Sequence, residues 1–217
     1  VLWGLEPRTD DCRLTVLDVG QGQCLLLQSR GESALIDCGG YSDTVSADKA
    51  WQMLRSQNLY DLNLLMFTHY DRDHPGGAEN FLTQIPAAAA ILPGPSELLP
   101  EGFVVTEDCE LSFGAGILRF YPYTGGNKDQ ENSMAILFET ENCAILVTGD
   151  LDAAGERRLV KEHFISADIL LVGHHGSKTS TCQDLLDAVQ PELALISVGE
   201  NHYGHPTQEV LDRLEQA

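Results

Sequence analysis

Four side chains that can ligate a metal, His69, Asp71, Asp73 and His74, fall within six residues directly after the apolar run Leu62-Asn63-Leu64-Leu65-Met66-Phe67. The run is short and is followed by Pro75-Gly76-Gly77, so it reads as a buried strand with the ligands on the loop at its tip. A loop leaving a strand end can turn alternate side chains inward, and the Pro-Gly-Gly step lets a helix begin close behind it. Imidazole nitrogens and carboxylate oxygens together suit zinc, manganese or iron, and a paired set of them suits a dinuclear site. The competing reading is an acidic surface loop that carries two incidental histidines.

The same arrangement recurs further along. The run 143–150, Cys-Ala-Ile-Leu-Val-Thr-Gly-Asp, is a buried strand that ends in Asp150, a carboxylate placed to bridge two cations with its two oxygens; the alternative is a helix N-cap, a role Asp152 can fill instead. The run 169–173 ends in His174-His175-Gly176-Ser177-Lys178. Neighbours on an extended segment point opposite ways, so the spacing selects one of the two histidines; His174, nearest the strand, is the expected ligand, with His175 left to support it or to meet substrate. The run 193–199 leads into Asn201, His202, Tyr203, Gly204, His205 and Pro206, where His205 is a candidate for contacting a phosphate or supplying a proton. A structural role for His205 is the alternative, and His163 and His202 read as surface residues.

Elsewhere, residues 14–19 and 24–27 suggest a hairpin through Gly20-Gln21-Gly22, and residues 34–37 form a third strand. Asp37, at its end, reads either as the acceptor that fixes a ligand histidine or as a turn-forming residue. Ala47, Ala50, Trp51 and Leu54 recur at helical spacing within 46–57, and a further helix is expected over 77–84. Strands follow at 87–92, 109–113, 117–121 and 134–138, with Asn132 and Ser133 at the entry to the last as possible hydrogen-bond donors to an anion. Ordinary turn chemistry accounts for those two residues equally. Helices are expected over 153–162, from Ser180 with Gln183 as a capping box through 189, and over 207–216.

A chain of 217 residues, 43% hydrophobic, supports one domain spanning 1–217. No run approaches the ~20 apolar residues of a membrane helix, and the first residues lack the pattern of a signal peptide, so no direct membrane insertion is expected. A net charge of −20 excludes a broad basic surface that grips duplex phosphates. The six cysteines show no CxxC pair or zinc-finger spacing; Cys24, Cys38 and Cys143 read as core residues, and the even total permits disulfides without indicating them.

With His69, Asp71, Asp73, His74, Asp150 and His174 assembled, the chain resembles the metallo-β-lactamase superfamily over nearly its whole length. The resemblance implies an α/β fold, an αββα sandwich of two mixed β-sheets flanked by helices with metals at one sheet edge. Members usually carry His where this chain has Asp71, and a separate His where it offers Asn132-Ser133. Those departures, with Leu17-Asp18-Val19-Gly20-Gln21-Gly22, Thr148-Gly149-Asp150, Val172-Gly173-His174-His175-Gly176-Ser177 and Tyr203-Gly204-His205-Pro206, are similar to the C-terminal domain of the ComEC competence channel family.

That likeness implies a fragment of a polytopic inner-membrane protein that imports single-stranded DNA. The domain would face the periplasm and degrade the non-transported strand, with DNA, single-stranded in preference, and the channel and oligonucleotide-binding-like domains of the same protein as its partners. The cofactor would be two divalent metal ions held by the six ligands above. Three aspartates make the set hard, which favours manganese over zinc. Asp73 would double as a proton acceptor, while Lys178, Ser177, Asn132 and His205 would hold phosphate oxygens or protonate the leaving group. The rival readings are a phosphodiesterase for a small or cell-wall substrate, such as a phosphocholine esterase, and a non-catalytic docking domain.

Overall fold

The computed structural model describes residues 12–125 and 133–217. Asn132 and the N-terminal residues read for a signal peptide lie outside them. Two sheets form. In the first, β1 (Arg13–Val16), β2 (Leu25–Ser29), β3 (Glu32–Ile36), β4 (Leu62–Met66), β5 (Ala87–Leu92) and β6 (Phe103–Val104) lie side by side in chain order. The pairs β1/β2 and β2/β3 are antiparallel, and the pairs from β3 to β6 are parallel.

The second sheet runs in the opposite chain order, from β12 (Leu193–Leu195) through β11 (Ile169–Leu171), β10 (Ala144–Val147), β9 (Ser133–Glu139) and β8 (Gly116–Tyr123) to β7 (Cys109–Phe113). Its strands β10, β11 and β12 are parallel and the rest antiparallel. Parallel neighbours need a crossover, which is supplied by α1 (Asp43–Ser56), α2 (Ala78–Leu82), α3 (Ala153–Glu162) and α4 (Gln183–Val189) for every parallel pair except β5/β6, which a loop over 93–102 joins; α5 (Gln208–Gln216) follows β12. Crossovers of this kind bring the carboxyl ends of parallel strands to one edge, where open α/β sheets bind ligands.

Period-two alternation separates the layers. Leu26, Leu35 and Leu65 face Ala47, Ala50 and Leu54 of α1, whereas Leu25, Leu27, Ile36 and Met66 face Phe113, Phe120, Ile136, Phe138 and Val147 across the gap between the sheets. On the far side Ala135, Leu137, Leu146 and Leu170 meet Leu159 of α3 and Leu185, Leu186 and Val189 of α4. The order is helix, sheet, sheet, helix, as the resemblance implied. Among the described residues no helix is long and apolar enough to cross a membrane.

Some local expectations fail for identifiable reasons. Ser180 does not cap α4: its hydroxyl donates to the Leu151 carbonyl at 2.7 Å, and the buried Glu156 carboxylate accepts from the Thr181 and Cys182 amides instead. Asp152 caps α3, accepting from the Ala154 and Gly155 amides, so Asp150 is not the N-cap that the alternative reading of it required. The last strand stops at Leu195, because Ser197 turns away to donate its hydroxyl to the Gly22 carbonyl at 2.7 Å. The helix expected over 77–84 is only the five residues of α2. Cys143 is half-buried rather than core, and His163 is half-buried, its ring 4.6 Å from that of Tyr121.

Phe138 is fully buried between the sheets with its ring edge-on to Phe113 at 5.8 Å. Phe138→Ala should therefore lower the unfolding free energy by about 3–5 kcal/mol, read from the urea midpoint at unchanged slope; a loss near zero would contradict the packing between the sheets.

Candidate metal centre

Asp37, at the end of β3, is wholly buried, and its carboxylate accepts from four donors: Gln23 Nε2 at 2.8 Å, the Thr68 amide at 2.8 Å, Thr68 Oγ1 at 2.7 Å and His74 Nδ1 at 2.8 Å. Its φ of +58° sits in the left-handed region that Asp tolerates better than most residues, and it turns the chain into the closely packed Gly39. A Cβ on Gly39 would lie 2.2 Å from the Asp73 carbonyl oxygen, so the ligand loop rests directly on this turn. The Cys38 amide donates to the His74 carbonyl and the Gly77 amide to that of Cys38, which fixes the register of the two segments.

These bonds decide which imidazole nitrogen faces inward. His74 gives its Nδ1 hydrogen to Asp37, and His175 gives its own to the Ser197 carbonyl at 2.7 Å. Thr68 Oγ1, donating to Asp37, is left to accept from His69 Nδ1 at 3.1 Å. Each bond leaves Nε2 as the ligand atom, the usual way a metal-binding imidazole is set. His74 Nε2 lies 3.3 Å from His175 Nε2, and the His69 and His74 rings are 3.9 Å apart.

Asp150, released from β10 by Gly149 at φ +54°, stands in the middle. One of its oxygens is 3.2 Å from His74 Nε2; the other is 3.6 Å from His69 Nε2 and 3.4 Å from His174 Nε2. Asp73 reaches to 3.2 Å from His175 Nε2, and the more exposed Asp71 lies 3.8 Å from His69 Nε2. Candidate ligand atoms therefore form two groups, His69, His74 and Asp150 in one and Asp73, His74 and His175 in the other, the atoms of each within 4.8 Å of one another.

His174, the histidine favoured from sequence, is half-exposed beside Asp150, whereas His175 is the buried one that points into the second group. The alternation argument does not apply because both residues have positive φ, 50° and 53°, in a short left-handed turn rather than an extended segment.

Electrostatics reinforce the grouping. Burial pushes His69 down to about 4, aided by the neighbouring His74, so its imidazole is neutral. Burial would also depress His74, but Asp150 and Asp37 outweigh it and hold the ring well above its ordinary value. Asp150 lies well below the carboxylate range: burial would raise it, and His74, His69 and His174 overcome that. His69 Nε2 is buried with no hydrogen-bond partner. A divalent cation is the partner that this lone pair and the surrounding carboxylates fit.

The segment after His175 is held from two sides. Glu156, fully buried on α3, accepts from the Thr181 and Cys182 amides at 2.6 and 2.7 Å, and Arg213 of α5 donates to the Ser180, Thr181 and Lys178 carbonyls at 3.1, 2.6 and 3.3 Å. Ser177 is buried and shares a hydrogen bond with the Thr179 hydroxyl at 2.9 Å, while Lys178 is exposed. Ser133 is buried, and its hydroxyl has no hydrogen-bond partner among the described residues. The His205 ring packs 5.6 Å from that of His174 and 5.7 Å from that of Tyr203, its Nδ1 buried without a partner. Glu156 and Ser197 were not anticipated from sequence; a Glu inside a helix reads as a solvated face, and no local pattern marks it.

Residues 17–200 match the profile described as the metallo-beta-lactamase superfamily, and the chain belongs to that superfamily. Domains with this fold bind divalent metals, often two. More particularly, the chain is 32% identical to ComE operon protein 3 of Bacillus subtilis over 93% of its own length and 32% identical to competence protein ComA of Neisseria gonorrhoeae over 94%. It is also 30% identical to recombination protein 2 of Haemophilus influenzae over 94%. These matches bear out the likeness to the ComEC family. The chain spans only 30%, 30% and 26% of those three relatives.

Among solved structures, the metallo-beta-lactamase fold protein YhfI from Bacillus subtilis superposes with TM-score 0.64 at 13% identity, covering 94% of this chain and 92% of that one. MEM-A1, a subclass B3 metallo-beta-lactamase, gives 0.57 at 17%, covering 95% and 92%. Both likenesses establish the fold.

Asp37→Asn should weaken divalent-metal affinity by about 10–100-fold, measured by competition with a chromogenic chelator; unchanged affinity would remove Asp37 from the role of fixing His74. Glu156→Ala leaves two buried amides without an acceptor, so it should cost about 1–3 kcal/mol, visible as a lower denaturation midpoint. Burial raises the Glu156 carboxyl to about 7 from its ordinary 4.5. Because the folded value is the higher one, the stability linked to its proton is complete below 4.5 and is lost as pH rises through 7. Relative to Glu156→Gln, which cannot ionise, the unaltered chain should lose stability across that interval, and parallel pH curves would contradict the assignment.

Proposed function

We propose that this domain is a two-metal phosphodiesterase that hydrolyses DNA, degrading the non-transported strand during competence uptake as part of a longer polytopic membrane protein. The observation that carries the reading is the convergence of two Nε2-and-carboxylate groups around Asp150, in a chain whose relatives are competence proteins. The two groups, His69 with His74 and Asp150, and Asp73 with His74 and His175, would hold the ions between them, with Asp71 and His174 beside them on the more exposed side. Manganese is favoured over zinc by the three aspartates. Divalent ions bound there would lower the pKa of water toward neutrality and offset charge developing on the phosphate oxygens.

The chain's own residues do the rest. Asp37, Thr68 and Ser197 orient the three inner imidazoles. Asp73, partly exposed at the mouth, takes up the proton released as the nucleophile forms. Lys178, Ser177 and Ser133 hold phosphate oxygens, and His205 protonates the leaving alkoxide. Ser177 can hold a phosphate oxygen while it accepts from the Thr179 hydroxyl, which leaves its own proton free. The domain would work on the periplasmic face, with single-stranded DNA delivered by the channel and oligonucleotide-binding-like domains of the same protein.

The net charge of −20 favours a second reading, a phosphodiesterase for a small or cell-wall substrate that needs no polyanion grip. One experiment separates them. The metal-stripped domain is incubated with single-stranded DNA, duplex DNA or a small phosphodiester, with manganese, magnesium or zinc added singly. Manganese-dependent nucleotide release that Asp73→Ala lowers by at least ~100-fold supports the nuclease. Turnover of the small ester alone selects the second reading, and equal DNA cleavage by the variant would identify a contaminant.

A further inference from the structure

Tyr203 has no part in the proposed chemistry, and its side chain is 75% exposed. Single tyrosines on a surface need no explanation, but this ring is held in place. It stacks on the His205 ring at 5.7 Å and 28°, and His205 in turn meets the His174 ring edge-on at 5.6 Å and 76°. His174 Nε2 lies 3.4 Å from Asp150. Three rings therefore lead outward from the metal cluster, and the outermost turns an open face to solvent.

The loop that carries Tyr203 is closed by the side chain of Asn201, which makes four hydrogen bonds. Its Nδ2 donates to the Gly199 and His205 carbonyls at 2.9 and 2.8 Å, and its Oδ1 accepts from the Tyr203 and His205 amides at 3.0 and 3.1 Å. The far end of the loop is fastened to the turn that carries His174 and His175. There the Thr207 amide and hydroxyl donate to the Gly176 carbonyl at 2.9 and 3.2 Å, and a Cβ on Gly176 would lie 2.6 Å from that of Pro206. The Tyr203 ring is thus placed before any ligand arrives, which lowers the entropic cost of stacking on it.

We propose, resting on the nuclease reading, that Tyr203 is a base-stacking platform: the unpaired base of a nucleotide held by its phosphate at the metal cluster stacks on the ring face opposite His205. A chain of net charge −20 has little cationic surface with which to hold a strand through its phosphates, whereas stacking needs no charge and accepts any base. A paired base must first be drawn out of its own stack at a cost in free energy, so the platform favours a single strand over a duplex. Tyr203 adds grip, and the bond-breaking groups are unchanged by its loss.

Two single strands of equal length and charge test this, one of thymidines and one of abasic deoxyribose, each incubated with the manganese-loaded chain. The thymidine strand should show a KM about 5- to 100-fold lower. Tyr203→Ala should raise that KM to the abasic value, leave cleavage of the abasic strand unchanged and melt with the unaltered chain, while Tyr203→Trp keeps the preference. Phe164→Ala, which removes another exposed ring, should alter neither strand's kinetics. Binding is read separately from a cleavage-resistant phosphorothioate strand carrying 2-aminopurine, whose fluorescence should be quenched by the unaltered chain and not by Tyr203→Ala. Equal KM values for the two strands would overturn the platform. So would a Tyr203→Ala loss shared by both, which would mean that the ring only steadies His205. If neither strand is cut, the nuclease reading fails and the fluorescence decides the platform alone: a quench that Tyr203→Ala abolishes supports it, and no quench overturns it too.

Discussion

A single buried carboxylate, that of Asp37, holds the metal centre in shape. An ion removed from water costs several kcal/mol unless its lone pairs are met, and Asp37 is met by Gln23, by Thr68 twice and by His74. Those donors come from the loop before β2, from the end of β4 and from the ligand loop itself. The desolvation penalty is thus offset only when three separate segments are in register. Because the last donor is an imidazole, the same bonds that satisfy the charge aim His74 Nε2 inward. Stability and site geometry are here one constraint.

The centre also spans the two sheets. The first contributes His69, Asp71, Asp73 and His74, and the second contributes Asp150, His174 and His175, so the distances between ligand atoms are set by how the sheets pack. Backbone bonds carry that packing up to the site: the Met134 amide to the Thr68 carbonyl at 2.7 Å, and the His174 amide to the Gly149 carbonyl at 3.0 Å. The Ser197 hydroxyl ties the second sheet to Gly22 while its carbonyl holds His175. Glu156 and Arg213 link α3 and α5 to the loop between them, so the segments carrying Asp150, His175 and His205 cannot shift independently.

What was legible in the sequence follows from the range of the interactions involved. The ligand loop stands out because its side chains are sequence neighbours, and Asp150 because an apolar strand precedes it. Asp37 was readable as one of two alternatives, and only the approach of His74, 37 positions away, decides between them. The choice between His174 and His175 was not readable, since it turns on two left-handed residues that side-chain periodicity does not report. Ser180 met the pattern of a capping box, yet its hydroxyl is claimed by Leu151 and the cap comes from a helix more than twenty residues upstream. Long-range polar contacts of this kind leave no local period.

The acidic balance of the chain bears on why cations belong in the site. Asp37, Asp71, Asp73 and Asp150 place four carboxylates there around His69, His74 and His175. Two divalent ions would offset about four negative charges, the number those carboxylates carry. Divalent cations are in this sense the natural counter-ions of the cluster, in a chain whose net charge is −20.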